Sequence, residues 1–464
     1  MAPKPLPVPD LQETVDRTVH AARAVLSADD VQELQKFGRA FLKGPAEQLQ
    51  RRLVDFAHSE SASGNSYVSR QWRTSYLTTR TPLPLTTSVA FQLEGFPKTP
   101  GIERAADFLH RAAHVHLQQL RGQTPQEVDP RGHHLDMDQW QVLGPGIRHP
   151  LPDCDELRRP EVSPDQAHIG LLLNGRLYTT PITDDDGAAL PPSTITSMLT
   201  QLLEATADAD PDEAVAGESF VDVSYLGSQT AAGLLEELLQ NRANERVYQR
   251  LTEMVFVVDL LNDPQQSADQ TDVDRLRSLA FAPGHAWAYK PVSYQLDLHS
   301  EWIGIHFEHS GADGATVRAA VDRMQQLEVP AEDSAAAAAS SCQELHWEMT
   351  AGFRDKLRAL VADYTQVSAE LMVHDVTVPA PDLSSLDVKV SQDAVQQLLL
   401  TYAQLATFGC VRSVYESVDM REFRAGRTEC LRALTPEAVA CAQAMLDGKA
   451  TQELFGQAMD AHRG

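Results

Sequence analysis

Asn174-Gly175 separates two apolar runs, His168–Leu173 and Arg176–Ile182, and this constrains the fold more than any other feature of the chain. Asn-Gly readily takes the paired positive φ angles of a type I′ turn, so the two runs read as an antiparallel hairpin. Ser293–His299 and Trp302–Glu308 form a second hairpin-like pair, with Tyr294, Leu296 and Leu298 alternating against polar residues. Met254–Leu260 is a nearly continuous apolar run, the pattern of a strand buried on both faces. Ser219–Leu226 reads as a further strand.

Helical periodicity fills much of the rest. Leu11, Val15, Val19, Ala22 and Val25 keep helical spacing, and a second helix is expected from Asp29 to Leu42. Others are expected over residues 45–57, 101–120, Ser193–Ala207 and Thr230–Leu251, and after Gly314. Towards the end they cover 344–373, 391–408 and 435–446. Asp184-Asp185-Asp186-Gly187 reads as a polar turn, acidic 204–218 as a surface loop, and alanine-rich 327–343 as a linker. Hairpins interleaved with helices predict a mixed α/β sheet fold, not a purely parallel one.

With 464 residues, the chain is long enough for two or three domains with real cores. Its formal charge of −26, from 39 basic and 65 acidic residues, argues against nucleic acid and against anionic membrane surfaces as partners. The five cysteines are scattered and form no CxxC, which points to reduced thiols in a cytoplasmic setting rather than to disulfides or zinc. MAPKPLPVPDLQ has no apolar core, so it does not read as a signal peptide. No run approaches the ~18 apolar residues of a membrane span. Without a Walker motif or GxGxxG, nucleotide phosphates have no evident backbone cradle. His133-His134-Leu135-Asp136-Met137-Asp138 has metal-binding residue types, but adjacent residues on a strand point to opposite faces and chelate poorly. No metal is expected.

Glu308-His309-Ser310-Gly311-Ala312-Asp313-Gly314 puts a histidine at a strand end with a carboxylate four residues on. Imidazole titrates near neutrality, and the carboxylate can fix its tautomer, so the pattern suits a general base. A second stretch, Tyr415-Glu416-Ser417, then Arg421, Phe423 and Gly426-Arg427-Thr428, gathers hydroxyls and guanidinium groups. These suit a small carboxylate, or else a solvated arginine-rich turn.

These stretches resemble the carnitine/choline O-acyltransferases. The likeness starts at Leu6-Pro7-Val8-Pro9-Asp10-Leu11. It runs through Trp72, Tyr76-Leu77, Arg80 and Pro82, and through Met137-Asp138-Gln139-Trp140, Arg148 and Pro150. It continues through Glu308-His309, Asp313-Gly314, Ser391-Gln392-Asp393-Ala394 and Gln397, and ends in the Tyr415–Thr428 stretch. It implies two coenzyme A-dependent acyltransferase domains of the chloramphenicol acetyltransferase kind, with an active-site tunnel between them. Residues 1–326 would hold N-terminal helices and the first domain, 327–343 the linker, and 344–464 part of the second. It implies reversible acyl transfer between acyl-coenzyme A and the carnitine hydroxyl, with coenzyme A as substrate and no permanently bound cofactor. His309 would be the base and Asp313 its orienting carboxylate. Tyr415, Ser417 and Thr428 would hold the carnitine carboxylate, Thr428 favouring carnitine over choline. Lys389, Ser391 and Asp393 would face coenzyme A.

The chain departs from that pattern in places. Asp382 and Leu386 stand where two lysines would grip the 3′-phosphate of coenzyme A, and Gln392 replaces a proline. Gly227-Ser228-Gln229-Thr230 stands where arginine and tryptophan are usual. The resemblance also leads one to expect a C-terminal third beyond Gly464, with a serine-threonine-serine motif that supplies an oxyanion donor. Loss of one such donor lowers rates by about 10²–10³. Two further readings follow: a non-catalytic relative or a piece of a longer acyltransferase, and an enzyme whose donor is the phosphopantetheine of a carrier protein. Because an aspartate repels a phosphate, calorimetry should find coenzyme A bound more weakly than micromolar. Micromolar or tighter binding would contradict the reading of Asp382 and Leu386.

Overall fold

In the computed structural model of the chain, Asn174 and Gly175 take φ of 50° and 72°, the backbone that a type I′ turn requires. The hairpin they close pairs residue by residue from His168↔Pro181 to Leu173↔Arg176. The structure describes residues 3–207, 219–329, 342–377, 379 and 390–463. Parts of two expected segments, the acidic loop 204–218 and the linker 327–343, therefore lie outside the described residues. The chain divides into two units. One comprises Gln71–Glu127 and Met137–Val376, the other Met1–Arg70, Val128–Asp136 and Thr377–Gly464.

The larger unit contains, in chain order, β1 (Val89–Gln92), β2 (Ile147–His149), β3 (Glu156–Arg158), β4 (His168–Leu173) and β5 (Arg176–Pro181). β6 (Val257–Leu261), β7 (Val292–Asp297), β8 (Ile303–Phe307) and β9 (Gln343–Glu344) follow. Seven form one sheet in the order β1-β8-β7-β6-β4-β5-β9, while β2 and β3 pair separately. β6 runs parallel to both neighbours and the remaining pairings are antiparallel, so the sheet is mixed, as expected.

Period-2 alternation sends side chains to both faces, and both are covered. Ile169, Leu171, Val258, Leu260, Tyr294 and Ile305 pack against the helices Ile102–Leu120, Pro192–Thr206 and Gly314–Gln326. Leu172, Leu177 and Val257 face the helices Ser228–Leu238, Arg242–Glu253 and Ala351–Ser368. The polar partners of the β7 alternation are buried as well: Ser293, Gln295 and Asp297 are at most 4% exposed. They form a polar layer, in which Gln295 Nε2 donates to Asp259 Oδ2 at 2.9 Å and Gln295 Oε1 accepts from Trp302 Nε1 at 2.8 Å.

Two expected elements differ. Ser219–Leu226 is not a strand; Phe220–Tyr225 form a 3₁₀ turn in which all six residues are buried. Ser224 Oγ donates to Val221 O at 2.7 Å and accepts from Ala288 N at 2.9 Å, so local bonds and burial on all sides override the β-branched composition. Thr230–Leu251 is two helices, Ser228–Leu238 and Arg242–Glu253. Asn241 separates them because its side chain caps the second by accepting from Ala243 N at 2.8 Å.

In the smaller unit the helices Leu11–Ala22, Ala28–Lys43 and Ala46–Ala62 form at the expected places. The helices Gln392–Phe408, Pro436–Leu446 and Gln452–Arg463 share a small core around Leu398, Cys441 and Met459. β10 (Glu416–Asp419) and β11 (Thr428–Leu431) form a two-stranded antiparallel sheet. The loop joining them is tied back at several points. Arg424 N donates to Lys4 O at 2.7 Å, and Ala425 N to Asp136 Oδ2 at 3.0 Å. All five cysteines are free. Among the described residues no helix is long and apolar enough to cross a membrane.

A buried ion network lies beneath the end of β8. Arg148 has no exposed side-chain surface. Its Nη1 donates to Glu308 Oε1, its Nε to Asp155 Oδ2 and its Nη2 to Tyr76 O, each at 2.7 Å. Arg80 adds a second cation 2.8 Å from Asp155, so two positive and two negative groups balance. Ser310 closes on Glu308 through its hydroxyl and its N–H, the latter at 3.1 Å. Burial alone would lower the Arg148 pKa, but Glu308 and Asp155 outweigh it and hold it above its usual value. Arg148→Met leaves Glu308 buried without its partner. Denaturant unfolding should show a loss of about 3–5 kcal/mol, and a loss below about 1 kcal/mol would show that the network does not hold this turn.

Three buried histidines are kept neutral. Burial pushes His116, His149 and His306 down to about 4. His116 Nδ1 donates to Leu143 O at 2.7 Å, and its Nε2 accepts from Tyr294 Oη at 2.9 Å. In the unfolded chain these groups bind protons below the usual histidine pKa of about 6.5. The folded state cannot take up those protons until about pH 4. Stability should therefore fall as pH drops from 7 towards 5, each group contributing up to about 1.4 kcal/mol per pH unit. Urea unfolding across that window checks this: the slope should flatten in His306→Gln, and a flat wild-type profile would contradict it.

Candidate active site

β8 ends at Phe307, and residues 308–313 turn the chain into the helix Gly314–Gln326. Arg148 anchors Glu308 at the start of the turn, and Asp313 leaves it as the helix N-cap with φ −111° and ψ 163°. His309 stands between them. Its Nδ1 is 3.5 Å from Asp313 Oδ1, an ion-pair distance somewhat longer than a well-formed hydrogen bond. The imidazole side chain is 22% exposed and the carboxylate 4%. The ring stacks on Tyr76, with centroids 5.2 Å apart and planes 21° apart, and touches Phe307 at 5.3 Å.

Gln139 fixes Asp313 from the other side. Its Nε2 donates to Asp313 Oδ2 at 3.1 Å, while its Oε1 accepts from Asp313 N at 2.7 Å and Thr316 Oγ1 at 3.0 Å. Gln139 is itself only 2% exposed. The carboxylate is thus held by a residue that has little room to move. A carboxylate at Nδ1 selects the tautomer that leaves Nε2 able to accept a proton. Two aromatic rings set the plane of that base, and part of the ring meets solvent. His306, three residues earlier, is fully buried, and among the described residues neither of its ring nitrogens has a hydrogen-bond partner.

Gln139 and Tyr76 belong to stretches that the sequence singled out, yet their contacts with Asp313 and His309 could not be read there. The signal was present: both residues sit in the motifs that carry the family resemblance.

The remaining site residues belong to the smaller unit. Ser417 pairs with Cys430 and Asp419 with Thr428 across β10 and β11. Residues paired across strands share a face, and so do residues two apart, so Ser417 and Thr428 are diagonal neighbours on one face. Tyr415 precedes β10 and is 65% exposed. Arg421 is committed to Asp419: its Nε is 3.0 Å from both carboxylate oxygens, and its Nη2 is 2.9 Å from Oδ2. Its charge is therefore largely matched within the protein. Ser391 caps the helix Gln392–Phe408 by accepting from Ala394 N. Asp393 Oδ2 is 2.7 Å from His462 Nε2. Lys389, Asp382 and Leu386 lie outside the described residues. His133, in the stretch with metal-binding residue types, pairs with Asp129 at 2.9 Å. Among the described residues Asp393, Glu416 and His462 offer ligand atoms within 4.8 Å of one another, a set that could hold a cation.

Comparison with known proteins shows the family. The model of the family described as choline/carnitine O-acyltransferase matches residues 6–464. Carnitine O-palmitoyltransferase 2, mitochondrial, of Xenopus tropicalis is 25% identical over 497 residues, covering 95% of this chain and 71% of that protein. The Homo sapiens protein of the same name is 25% identical over 487 residues, with the same coverage. Carnitine O-acetyltransferase of Mus musculus is 22% identical over 494 residues, covering 99% of this chain and 75% of its own length. The match runs through the hairpins, the His309 turn and the β10–β11 stretch alike, and the chain belongs to the choline/carnitine O-acyltransferase family.

Proposed function

We propose that the chain transfers acyl groups between acyl-coenzyme A and the hydroxyl of carnitine, with His309 as general base. The observation that carries this is the buried Asp313 carboxylate, held by Gln139, beside Nδ1 of a partly exposed imidazole. Family membership and the names of the relatives support the substrates. In this mechanism Nε2 takes the proton of the carnitine hydroxyl, and the oxygen attacks the thioester carbonyl. The tetrahedral adduct then expels the coenzyme A thiolate, which recovers the proton from the imidazolium. Asp313 stabilises that imidazolium, and Tyr76 and Phe307 keep the ring in plane for both transfers. Base catalysis of this kind is worth about 10²–10⁴-fold.

Tyr415, Ser417 and Thr428 are the proposed anchor for the carnitine carboxylate, through hydroxyl donors rather than the already paired Arg421. Ser391 and Asp393, with Lys389, are the proposed contacts to coenzyme A. The same reading takes the fold as two acyltransferase domains, supported by a mixed sheet with helices on both faces. Asp382 and Leu386 favour a second reading, in which the donor is an acyl group on the phosphopantetheine of a carrier protein. That donor has no 3′-phosphate to repel.

The test is thiol release by the purified chain with carnitine and acetyl- or palmitoyl-coenzyme A, and in parallel with an acylated carrier protein. His309→Ala should lower carnitine-dependent turnover by at least about 10²-fold while leaving the melting temperature nearly unchanged. Equal turnover in wild type and variant would sink the general-base assignment. Turnover with the carrier protein alone would select the second reading.

A further inference from the structure

Ser278, His285 and Asp259 form a hydrogen-bonded chain of their own. Ser278 Oγ lies 2.9 Å from His285 Nε2, and His285 Nδ1 lies 2.7 Å from Asp259 Oδ2. Both distances fall within the reach expected of a nucleophile, its base and the group that orients the base. Such a constellation is recognised by geometry, not by order in the chain. We propose that these residues are a second nucleophilic centre, which hydrolyses carboxylic esters or thioesters through an acyl group carried on Ser278.

Each member is placed by a different element. Asp259 is on β6, Ser278 in the last turn of the helix Asp272–Phe281, and His285 in the loop that follows. A serine inside a helix commonly bonds back to a carbonyl of the preceding turn. Ser278 instead meets the imidazole. Asp259 is 7% exposed, and the same Oδ2 that faces His285 also accepts from Gln295, which Trp302 holds in turn. The carboxylate is therefore fixed by the polar layer of the sheet. It accepts a hydrogen bond from Nδ1–H and so leaves Nε2 as the base. Burial disfavours the imidazolium, but Asp259 outweighs that and the pKa of His285 is raised.

The centre is reachable, since His285 keeps 21% of its side-chain exposure and Ser278 is half-buried. The loop also offers donors for a developing oxyanion. Gly284 has φ of +95°, and among the described residues neither its N–H nor that of His285 has a hydrogen-bond acceptor. Backbone donors of this kind stabilise a tetrahedral intermediate.

The step balances without a co-reactant other than water. Ser278 Oγ bonds to the carbonyl carbon and its proton passes to His285 Nε2. The bond to the alcohol or thiol breaks, and the leaving group takes that proton. Water then adds to the acyl carbon, giving a proton to Nε2. Ser278 leaves with that proton, and the carboxylic acid is released.

A fluorophosphonate probe, with p-nitrophenyl acetate as substrate, tests this on the whole purified chain. The adduct should map to Ser278 by peptide mass spectrometry, and it should be absent from Ser278→Ala and from wild type unfolded in urea. His285→Gln should slow labelling by at least about 10²-fold. Asp259→Asn, which presents the wrong tautomer, should slow it comparably, so a folding failure in either variant leaves the other to decide. No adduct at Ser278, or equal labelling in the folded His285→Gln variant, overturns the proposal.

Discussion

The Arg148 guanidinium is wholly buried, and two carboxylates and a carbonyl converge on it. Removing such charges from water costs several kcal/mol per ion, and the cost is met only when every lone pair and proton is matched. Here the matching reaches outward to Arg80, Ser228 and Ser310. Ser228 Oγ donates to Asp155 at 2.7 Å and contacts Tyr289 Oη at 3.1 Å. An apolar replacement of equal volume would be simpler to bury, but it would not specify where Glu308 sits. The network fixes the residue next to His309, so the placement of that imidazole depends on a group that never meets solvent.

The sheet divides its chemistry between its two faces. One side of β7 and β8 carries Tyr294, Ile305 and Phe307 into the main core. The other carries Ser293, Gln295, Asp297 and His306, all nearly fully buried. Buried polar groups in low dielectric are costly when unpaired and strongly held when paired. The layer orders Asp259 and His285 through a continuous run of hydrogen bonds. It also leaves His306 neutral, because no carboxylate or carbonyl among the described residues pairs with its ring.

Local pattern made much of this legible. The Asn174-Gly175 hairpin, the strand pair that delivers His309 and the helix after Gly314 all follow from turn chemistry and periodicity within a few residues. The 3₁₀ turn Phe220–Tyr225 carries the composition of a strand because its β-branched and aromatic residues are buried on all sides, which alternation cannot distinguish from a strand. The contacts that set the site were beyond reach for another reason. Gln139 and Asp313 are 174 residues apart, and Arg148 and Glu308 are 160 apart. No local pattern encodes such pairs. Likewise, the sequence showed Arg421 near Thr428, but not that Asp419 had already claimed it.

β1 closes the edge of the sheet beside β8, with Val89 opposite Phe307 and Gln92 opposite Gly304. A ribosome adds about 5–20 residues per second. β1 therefore emerges roughly ten to forty seconds before its partner exists. Throughout that time an edge segment with Phe91 on it has no strand to join. The strand that leads into the His309 turn is thus also the one that ends β1's wait, so vectorial synthesis brings the candidate base and the closing of the sheet edge into the same late event.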